Sequence, residues 1–401
     1  MLLREDQDYS NIPVGPLGII AMESCSQLGE NVNKYLVKWR KENAALHEND
    51  HSYSDYSKDN FLIKAQCTRF GSGEAKGSIF ESIRGKDLFI ITDVMNYNQT
   101  YKINGYINHM SPDDHYADLK RIIAATSGKA RRINVIMPFM YSSRQHKRTG
   151  RESLDCAMAL QELKAMGAEN IITFDAHDPR VQNAIPLGGF ETVRPTYQFV
   201  KALLNRVPDL KIDKDHFMTI SPDEGATSRA VYLSSILGVD MGMFYKRRDY
   251  TQVIDGRNPI VAHEYLGSPL KGKDVLIIDD MIASGESMLE VAQALKKRKA
   301  NRIFVASTFG LFTKGLSVFD KAYKKGLITN VLTTNLVYQS EELLKKPYYI
   351  NCDMTKYLAY IIDILNHDSS LSSILAPDER ILYILDKYNK GELRKESEFL
   401  L

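Results

Sequence analysis

Residues 275–288 read VLIIDDMIASGESM, and they carry more information about the fold than any other segment of the chain. The first four residues form an apolar run with the length and branched side chains of a buried strand. Asp279 and Asp280 follow this run, and a loop of small residues leads into a sequence typical of a helix. Ser287 and Glu290 have capping-box spacing, which predicts that the helix begins at Ser287.

A turn of this kind between a buried strand and a helix suits a phosphate monoester. Its backbone amides point outward and the helix dipole adds positive potential. The hydroxyls of Ser284 and Ser287 can donate further hydrogen bonds. Asp279 and Asp280 lie at the carboxyl end of the predicted strand, where open α/β sheets bind ligands, and can accept from sugar hydroxyls or help to hold a metal ion. From the residues alone, a solvated turn before a capped helix stays open as the alternative.

A second phosphate motif nearby is a chance match. Residues 267–273, GSPLKGK, fit the first seven positions of a P-loop, but Asp274 stands where the motif requires Ser or Thr. The match also precedes a strand instead of following one, so its amides would not head a helix.

Apolar runs of strand length alternate with helical patterns along most of the chain. Helical patterns include residues 154–166, ended by Gly167, and residues 287–299. Continuous apolar strands with intervening helices predict α/β architecture with mainly parallel sheets covered on both faces. No internal repeat is evident. The strand-like runs are at residues 17–22, 87–92, 133–139, 171–174, 217–220, 241–245, 275–278, 303–306 and 331–333.

The bulk composition excludes several classes of protein. The chain has 401 residues, 44% apolar and 25% charged, and a net charge of only +2, which argues against a nucleic-acid coat or a membrane-surface protein. Its apolar runs are too short to span a bilayer, and charged residues stand where a secretory signal needs its apolar stretch. The four cysteines are widely spaced, which favours free thiols. We therefore expect a cytoplasmic protein without nucleic-acid or membrane partners.

The length and the pattern predict two α/β domains and a tail. The first domain is expected at residues 1–190, the second at 191–376, and a helical tail at 377–401 with its helix at residues 379–387. Two stretches of the first domain are expected to be insertions. Residues 41–60 are polar and predict a loop, and residues 94–116 lack a helical or strand period and predict an irregular surface excursion.

Several motifs, in one order along the chain, resemble those of the ribose-phosphate pyrophosphokinase family, over roughly residues 17–367. The resemblance implies two tandem phosphoribosyltransferase-like domains and an enzyme that transfers pyrophosphate from ATP to ribose 5-phosphate, giving 5-phosphoribosyl 1-pyrophosphate (PRPP) and AMP. The motifs are RFGSGE at 69–74, ESIRGKD at 81–87, IMP at 136–138 with RQ at 144–145, FDAH at 174–177, SPDEG at 221–225, KRR at 246–248, the loop at 279–287, GLF at 310–312 and TN at 334–335.

The same resemblance assigns roles to individual residues. ATP is expected at Phe70, Ser72, Glu74, Arg144 and Gln145, and ribose 5-phosphate at Asp279, Asp280, Ala283, Ser284, Gly285, Glu286 and Ser287. Mg²⁺ is expected at His177 and Asp223, with Asp175 orienting the histidine. Lys246 and Arg248 are expected to be catalytic, at the start of a mobile loop at 247–263. The family resemblance also implies a homo-oligomer, a dimer or a hexamer.

This sequence departs from the family pattern at several places, including Ala283 at the first position of the phosphate loop. Ser72 replaces an aspartate that helps to read adenine, which predicts weaker discrimination of ATP from GTP. Glu286 adds a negative charge to the phosphate loop, and His146 replaces an aspartate after the Arg-Gln pair. Together with Ala283, these departures leave open a catalytically weak regulatory homologue. A phosphoribosyltransferase that consumes PRPP is the second alternative, and the motifs at 70–74 and 144–145 argue against it, because such an enzyme needs no triphosphate site.

Overall fold

The computed structural model describes residues 12–44, 53, 55–248 and 260–393. The contacts within the chain divide it into two compact units, and each is described by itself. Unit 1 comprises Met1–Pro195, Asn335–Tyr338 and Asp353–Ala376, and unit 2 comprises Thr196–Thr334, Gln339–Cys352 and Pro377–Leu401.

The described residues form sixteen strands and eleven α-helices. The strands are β1 (Leu17–Ala21), β2 (Ala65–Arg69), β3 (Ala75–Ile79), β4 (Asp87–Ile91), β5 (Thr100–Ile103), β6 (Tyr106–His109), β7 (Arg132–Ile136), β8 (Asn170–Phe174), β9 (Gly189–Val193), β10 (Phe217–Ser221), β11 (Asp240–Arg248), β12 (Ile260–Gly267), β13 (Asp274–Ile282), β14 (Ile303–Gly310), β15 (Asn330–Thr334) and β16 (Tyr349–Cys352). The α-helices are α1 (Ser26–Ala44), α2 (Pro112–Ala125), α3 (Asp155–Ala165), α4 (Thr196–Arg206), α5 (Thr227–Leu237), α6 (Glu286–Lys297), α7 (Ser317–Lys324), α8 (Glu341–Leu344), α9 (Thr355–Asn366), α10 (Ser372–Leu375) and α11 (Asp378–Asn389).

Unit 1 is built on a parallel sheet with strand order β1-β4-β7-β8-β9. Every residue of β4 is buried, as expected for a central strand with both faces covered. Two antiparallel hairpins, β2–β3 and β5–β6, lie outside this sheet. Helix α9 returns to unit 1 from late in the chain and packs against α1 through the buried ion pair of Arg40 and Asp363, whose side-chain atoms are 3.2 Å apart.

Unit 2 is built on a larger sheet with strand order β12-β11-β10-β13-β14-β15-β16. All neighbouring strands are parallel except β11 and β12, which pair antiparallel at one edge. Successive residues of β13 belong to two separate hydrophobic clusters. Val275 and Ile277 belong to one cluster, and Leu276 and Ile278 belong to the other. Because side chains alternate along a strand, apolar layers cover both faces of the sheet. The predicted α/β architecture is confirmed.

The two units share a short repeat that the sequence analysis missed. Residues 85–91 read GKDLFII and residues 272–278 read GKDVLII, identical at five of seven positions. Both begin a central parallel strand, and both first glycines have positive φ, 72° for Gly85 and 80° for Gly272. Seven residues are too few to stand out without the structure, because apolar strands resemble one another.

The aspartate of each repeat clamps the start of the neighbouring strand. Asp87 is fully buried and accepts hydrogen bonds from Arg132 Nε and Nη2, both at 2.8 Å, and from Asn366 Nδ2 at 2.9 Å. In unit 2, Asp274 accepts from Arg302 Nη2 at 2.7 Å and Nε at 3.1 Å. In unit 1 the two arginine nitrogens contact different oxygens of the carboxylate, a two-point contact with defined geometry, whereas in unit 2 both nitrogens share Asp274 Oδ2.

The two expected insertions differ from the prediction. Residues 94–116 are not irregular: they contain hairpin β5–β6 and the start of α2, where Ser111 forms a capping box with Asp114. The hairpin turn is Asn104-Gly105, with φ of 49° and 84°, and Asn-Gly is the sequence signal that predicts such a turn. Of residues 41–60, the first four end helix α1, residues 55–60 are ordered, and 45–52 and 54 lie outside the described residues.

Other features agree with the sequence. Helix α11 contains the predicted tail helix. The four cysteines are free. Among the described residues, no helix combines the length and apolar character that crossing a bilayer requires. The domain boundaries inferred from the sequence stay a prediction.

Replacing Asp87 with Ala should strongly destabilise the protein, because it leaves the partly buried Arg132 guanidinium and Asn366 without their shared acceptor. Breaking a buried pair costs roughly 3–5 kcal/mol. Asp368→Ala is the matched control: Asp368 contacts the same arginine at 2.6 Å but is 69% exposed, so the cost should be at most about 1 kcal/mol. Urea unfolding followed by circular dichroism measures both. Equal losses of unfolding free energy in the two variants would show that the Asp87 contacts do not stabilise the sheet as stated.

Candidate functional site

The strand, loop and helix at residues 275–288 form in unit 2, with one correction. Strand β13 extends to Ile282, and helix α6 begins at Glu286, not at Ser287. The residue before the helix is Gly285, with φ of 85° and no side chain to cap the helix, so the predicted capping box is wrong. The helix begins with a backbone hydrogen bond instead: Leu289 N donates to the Gly285 carbonyl at 3.0 Å. Ser287 lies exposed in the first turn.

Only glycine fits at position 285. Its left-handed backbone disfavours any side chain, and a Cβ atom there would lie 2.3 Å from Phe319 Cζ. Phe319 cannot easily move, because it is fully buried and packs edge-on against Phe312 with ring centroids 5.2 Å apart. The ring of Phe319 therefore forms the floor under the loop and fixes the direction in which α6 leaves it.

Asp279 and Asp280 form a crowded pair at the end of the strand. Asp280 is 3% exposed, and its backbone N–H donates to Asp279 Oδ1 at 2.8 Å. Burial raises the pKa of Asp279 well above its usual range, and the neighbouring charges of Asp280 and then Asp223 raise it further. Three carboxyl groups thus interact in unit 2, and donors or cations that approach them stabilise the ionised form.

Asp223 is held by its own turn after strand β10. The hydroxyl of Ser221 donates to the Asp223 carbonyl at 2.6 Å, and Gly225 N donates to Asp223 Oδ1 at 3.0 Å. The side chain is half-buried. This turn brings the predicted metal ligand close enough to Asp279 to affect its pKa.

Glu286, the unexpected acid of the loop, has a cationic partner. Its Oε1 atom is 2.8 Å from Lys314 Nζ, and Ser284 Oγ lies 3.4 Å from its Oε2. Hydrogen bonding to Lys314 lowers the pKa of Glu286, so the carboxylate is ionised and its charge is balanced locally. Sequence reasoning missed Lys314, because it lies 28 residues from Glu286 and no local pattern links the two.

In unit 1, three of the predicted ATP residues lie on one exposed turn, at the tip of hairpin β2–β3. Phe70 N donates to the Glu74 carbonyl at 2.8 Å, and Gly73 N donates to the Phe70 carbonyl at 2.9 Å. Ser72 Oγ donates to Glu74 Oε2 at 2.9 Å. The Phe70 ring is 52% exposed. The turn thus presents an aromatic face beside a hydroxyl and a carboxylate.

The other two predicted ATP residues, Arg144 and Gln145, lie on a different loop of unit 1, after strand β7. Both are exposed. Gln145 N donates to the Ser142 carbonyl at 2.7 Å, and the Gln145 carbonyl accepts from Cys156 N at 3.3 Å, at the start of helix α3. These bonds hold the loop and leave the exposed side chains of Arg144 and Gln145 on the surface.

His177 lies just after strand β8, beside a second histidine. Its ring centroid is 5.4 Å from that of His146, whose Nδ1 contacts the Ser143 carbonyl at 3.1 Å and whose Nε2 lies 3.3 Å from Asp178 Oδ2. Burial lowers the pKa of His146. The sequence analysis did not single out Asp178, because only the fold brings it to His146.

The backbone beside His177 is in an unusual conformation. Asp175 is buried with φ of 41°, which a residue other than glycine rarely adopts. Its N–H donates to the Val193 carbonyl at 2.9 Å, and Ala176 N donates to Thr192 Oγ1 at 2.9 Å. Strand β9 therefore stabilises the turn that presents His177. The predicted orienting contact from Asp175 to His177 stays a prediction.

The two predicted metal ligands lie in different units, His177 in unit 1 and Asp223 in unit 2. Within the described parts of the chain, no group of three or more His, Cys, Asp or Glu side chains is placed to hold a metal ion by itself. Mg²⁺ commonly takes most of its ligands from substrate and water.

The predicted catalytic residues Lys246 and Arg248 lie at the end of strand β11. The backbones of Lys246 and His263 pair across the antiparallel β11–β12 ladder, as do those of Arg248 and Ile260. Both ends of the expected mobile loop at 247–263 are therefore strand, which corrects the prediction. Residues 249–259 lie outside the described part of the chain.

Two family models match the chain in succession. Residues 17–167 match the N-terminal domain of ribose phosphate pyrophosphokinase, and residues 199–344 match the phosphoribosyl transferase domain. The first match contains the exposed turn at 70–74, and the second contains the loop at Gly285.

Curated relatives agree with these matches. A ribose-phosphate pyrophosphokinase of Mycoplasmopsis pulmonis is 27% identical over 321 residues, covering 79% of this chain and 89% of the relative. Another, of Ralstonia nicotianae, is 27% identical over 277 residues, covering 68% of this chain and 78% of the relative. The crystal structure of phosphoribosylpyrophosphate synthetase from Mycobacterium smegmatis aligns with a TM-score of 0.69 at 21% identity, covering 88% of this chain and 99% of that one, which shows a shared fold.

Replacing Gly285 with Ala should destabilise unit 2 more than the same change at another left-handed glycine. Gly238 is the control: its φ is 65°, but a Cβ there meets nothing within 4 Å. Gly238→Ala should cost roughly 1–2 kcal/mol from backbone conformation alone. Gly285→Ala should add about 1–3 kcal/mol, because it displaces Phe319. Chemical unfolding of both variants measures the difference. Equal costs would show that Phe319 does not constrain the loop.

Proposed function

The chain belongs to the ribose-phosphate pyrophosphokinase family, and from this premise we propose that it transfers the β,γ-pyrophosphoryl group of ATP to the anomeric oxygen of ribose 5-phosphate, giving PRPP and AMP. The observation that carries the proposal is the pair of domain matches in family order, with a phosphate-type turn in the second. The anomeric oxygen attacks the β-phosphorus, the bond from the β-phosphorus to the oxygen that bridges it to the α-phosphorus breaks, and AMP leaves with that oxygen. Such a transfer asks the protein mainly for alignment and charge neutralisation.

In this proposal, unit 2 binds ribose 5-phosphate. The amides at the start of α6 and the hydroxyls of Ser284 and Ser287 bind the 5-phosphate, with Ala283 and Gly285 allowing the backbone to approach closely. Asp279 and Asp280 accept hydrogen bonds from the sugar hydroxyls, which relieves the repulsion between their carboxyl groups. Lys314 offsets the charge of Glu286 at the edge of the loop.

Unit 1 binds ATP in this proposal. The exposed ring of Phe70 stacks on the purine, a contact that any base can make. Glu74 and Ser72 lie beside that ring and offer polar contacts to the base edge. Because the Ser72 hydroxyl both donates and accepts, discrimination between ATP and GTP should be weaker than with an aspartate there. Arg144 and Gln145 donate to the triphosphate.

A divalent metal ion is a general requirement of this family. We propose that the ion is Mg²⁺ and that His177 and Asp223 contribute ligands. The Asp223 carboxylate fits the preference of Mg²⁺ for oxygen, and a cation near it would also offset the repulsion that raises the pKa of Asp279. Bound Mg²⁺ would neutralise charge on the transferred phosphates.

Lys246 and Arg248 are proposed to supply positive charge as negative charge builds up during transfer, which raises the rate more than the affinity. We further propose that the enzyme works in the cytoplasm as a homo-oligomer, a dimer or a hexamer. Neither alternative function, the phosphoribosyltransferase or the inactive regulatory homologue, is favoured by the relatives, which are curated as pyrophosphokinases.

The direct test is to incubate the purified protein with ATP, ribose 5-phosphate and Mg²⁺ and to follow the products by ³¹P NMR. We expect AMP and PRPP in equal amounts. Lys246→Ala is the control for contaminating enzymes, and its rate should fall about 10³-fold or more if the lysine acts as phosphoryl-transfer cations do. Absence of AMP, or consumption of added PRPP with a nucleobase, would contradict the proposal.

The Glu286–Lys314 pair gives a sharper prediction. Lys314→Ala leaves the Glu286 carboxylate unbalanced beside the bound phosphate, so the dissociation constant for ribose 5-phosphate should rise roughly two- to fivefold, as for other exposed charge contacts. Calorimetric titration of ribose 5-phosphate at low salt measures this effect, which should shrink as salt is added.

Adding Glu286→Gln to Lys314→Ala should restore the affinity, because the double variant carries no unbalanced charge. The double variant thus separates two roles of Lys314. If its affinity stays as low as that of Lys314→Ala alone, the lysine contacts the phosphate directly and does not act by balancing Glu286.

A further inference from the structure

The β5–β6 hairpin of unit 1, in the stretch that the sequence predicted to be irregular, has no role in the function proposed above. It joins strand β4 to helix α2 through residues 100–109 and carries two strongly exposed apolar side chains, Tyr106 at 77% and Ile107 at 69%. The contacts at its tip are with another hairpin of unit 1. The tip of this hairpin meets the tip of hairpin β2–β3, where Phe70, Ser72 and Glu74 lie.

Two contacts join the tips. Asn104 N donates a hydrogen bond to the Gly71 carbonyl at 2.9 Å. Ile103 packs so closely on Gly73 that a Cβ atom on the glycine would lie 2.6 Å from Ile103 Cδ1. Gly73 has φ of 92°, which by itself favours glycine. The backbone of the turn at 70–74 is thus supported from one side by a polar contact and an apolar contact.

The supporting hairpin is itself anchored to the rest of unit 1. Tyr101 lies under the guanidinium of Arg69, 4.8 Å from Arg69 Cζ to the ring centroid, and donates to Asp114 Oδ1 at 3.2 Å. Arg69, the last residue of β2, also contacts Asp118 Oδ2 of helix α2 at 2.8 Å. At the base of the hairpin, Met110 N donates to the Gln99 carbonyl at 2.9 Å. Both hairpins therefore share one anchor, the N-terminal half of α2.

The turn at 70–74 needs such support. A two-stranded hairpin is marginally stable in water, and two of its five turn residues, Gly71 and Gly73, are glycines with large conformational freedom. A turn that samples many shapes must be ordered when a ligand binds, and that cost lowers the affinity. A turn already held in the binding shape avoids it.

We propose that hairpin β5–β6 is a positioning element for the nucleotide, which acts through Ile103 and Asn104 to hold the turn at 70–74 in the shape that presents Phe70, Ser72 and Glu74. This inference rests on the proposed function, since it takes the turn to bind ATP. The hairpin itself does not contact the reacting atoms. Its removal therefore weakens nucleotide binding and leaves sugar-phosphate binding and turnover at saturating ATP unchanged.

The test compares two isoleucines of the same hairpin. Ile103→Ala removes the contact to Gly73, and Ile107→Ala removes an exposed side chain of equal size. Calorimetry with α,β-methylene ATP, in which the bond broken by the reaction is replaced, measures nucleotide affinity, and ribose 5-phosphate is titrated separately. We expect Ile103→Ala to raise the nucleotide dissociation constant about tenfold, Ile107→Ala to change it less than twofold, and neither to change the affinity for ribose 5-phosphate.

One further variant and a kinetic measurement make the result decisive. Ile103→Leu keeps a δ-carbon that can reach Gly73 and should restore most of the affinity, which also guards against failure of the alanine variant to fold. Steady-state kinetics should show a higher KM for ATP with kcat unchanged. If Ile103→Ala binds nucleotide within twofold of the wild type, or loses sugar-phosphate affinity to the same extent, the positioning role is overturned.

Phe70→Ala, measured in parallel, separates this inference from the function on which it rests. If Phe70→Ala weakens nucleotide binding and Ile103→Ala does not, the turn binds ATP but the hairpin does not position it. If neither variant weakens binding, the turn is not the nucleotide site, and the assignment of unit 1 to ATP fails together with the inference.

Discussion

A left-handed glycine lying on a buried phenylalanine ring sets the geometry on which the proposed sugar-phosphate site depends. Gly285 can adopt φ of 85° and leave room for Phe319, and no residue with a side chain can do both. This constraint places the start of α6 after a loop of three residues, 283–285, at the end of β13. The phosphate-type turn is therefore a consequence of core packing in unit 2.

Charge balance is the second requirement of the structure. Unit 2 concentrates three interacting carboxyl groups, and burial with mutual repulsion raises the pKa of Asp279. The nearby Glu286 would add to this repulsion, but Lys314 offsets its charge. The acid that departs from the family pattern is thus compatible with binding an anion, since the loop as a whole gains no net charge from the pair. Similar logic applies at the start of the central strands, where Arg132 and Arg302 pair with buried aspartates.

The sequence predicted most of the strands and the loop after β13, and missed contacts that only the fold brings together. Strand β13 and the loop after it could be predicted because an apolar run, two acids and a small-residue loop follow in order. Hairpin β5–β6 could also have been predicted, because Asn104-Gly105 is a typical turn dipeptide. It was missed because a dipeptide has no helical or strand periodicity. No sequence pattern could have paired Lys314 with Glu286 or Asp178 with His146, because those contacts depend on how strands of one sheet are ordered. The helix start was misplaced because a glycine turn replaces the expected side-chain cap.

In the proposed function, unit 2 binds the sugar phosphate at the turn around Gly285 and unit 1 binds the nucleotide at the turn around Phe70. Hydrogen–deuterium exchange of the full chain, with each ligand added separately, tests it most directly. Ribose 5-phosphate alone should slow exchange in residues 281–290 and leave residues 66–78 unchanged, and α,β-methylene ATP with Mg²⁺ should protect residues 66–78. Protection of residues 66–78 by the sugar phosphate, or no protection of residues 281–290, would contradict the account.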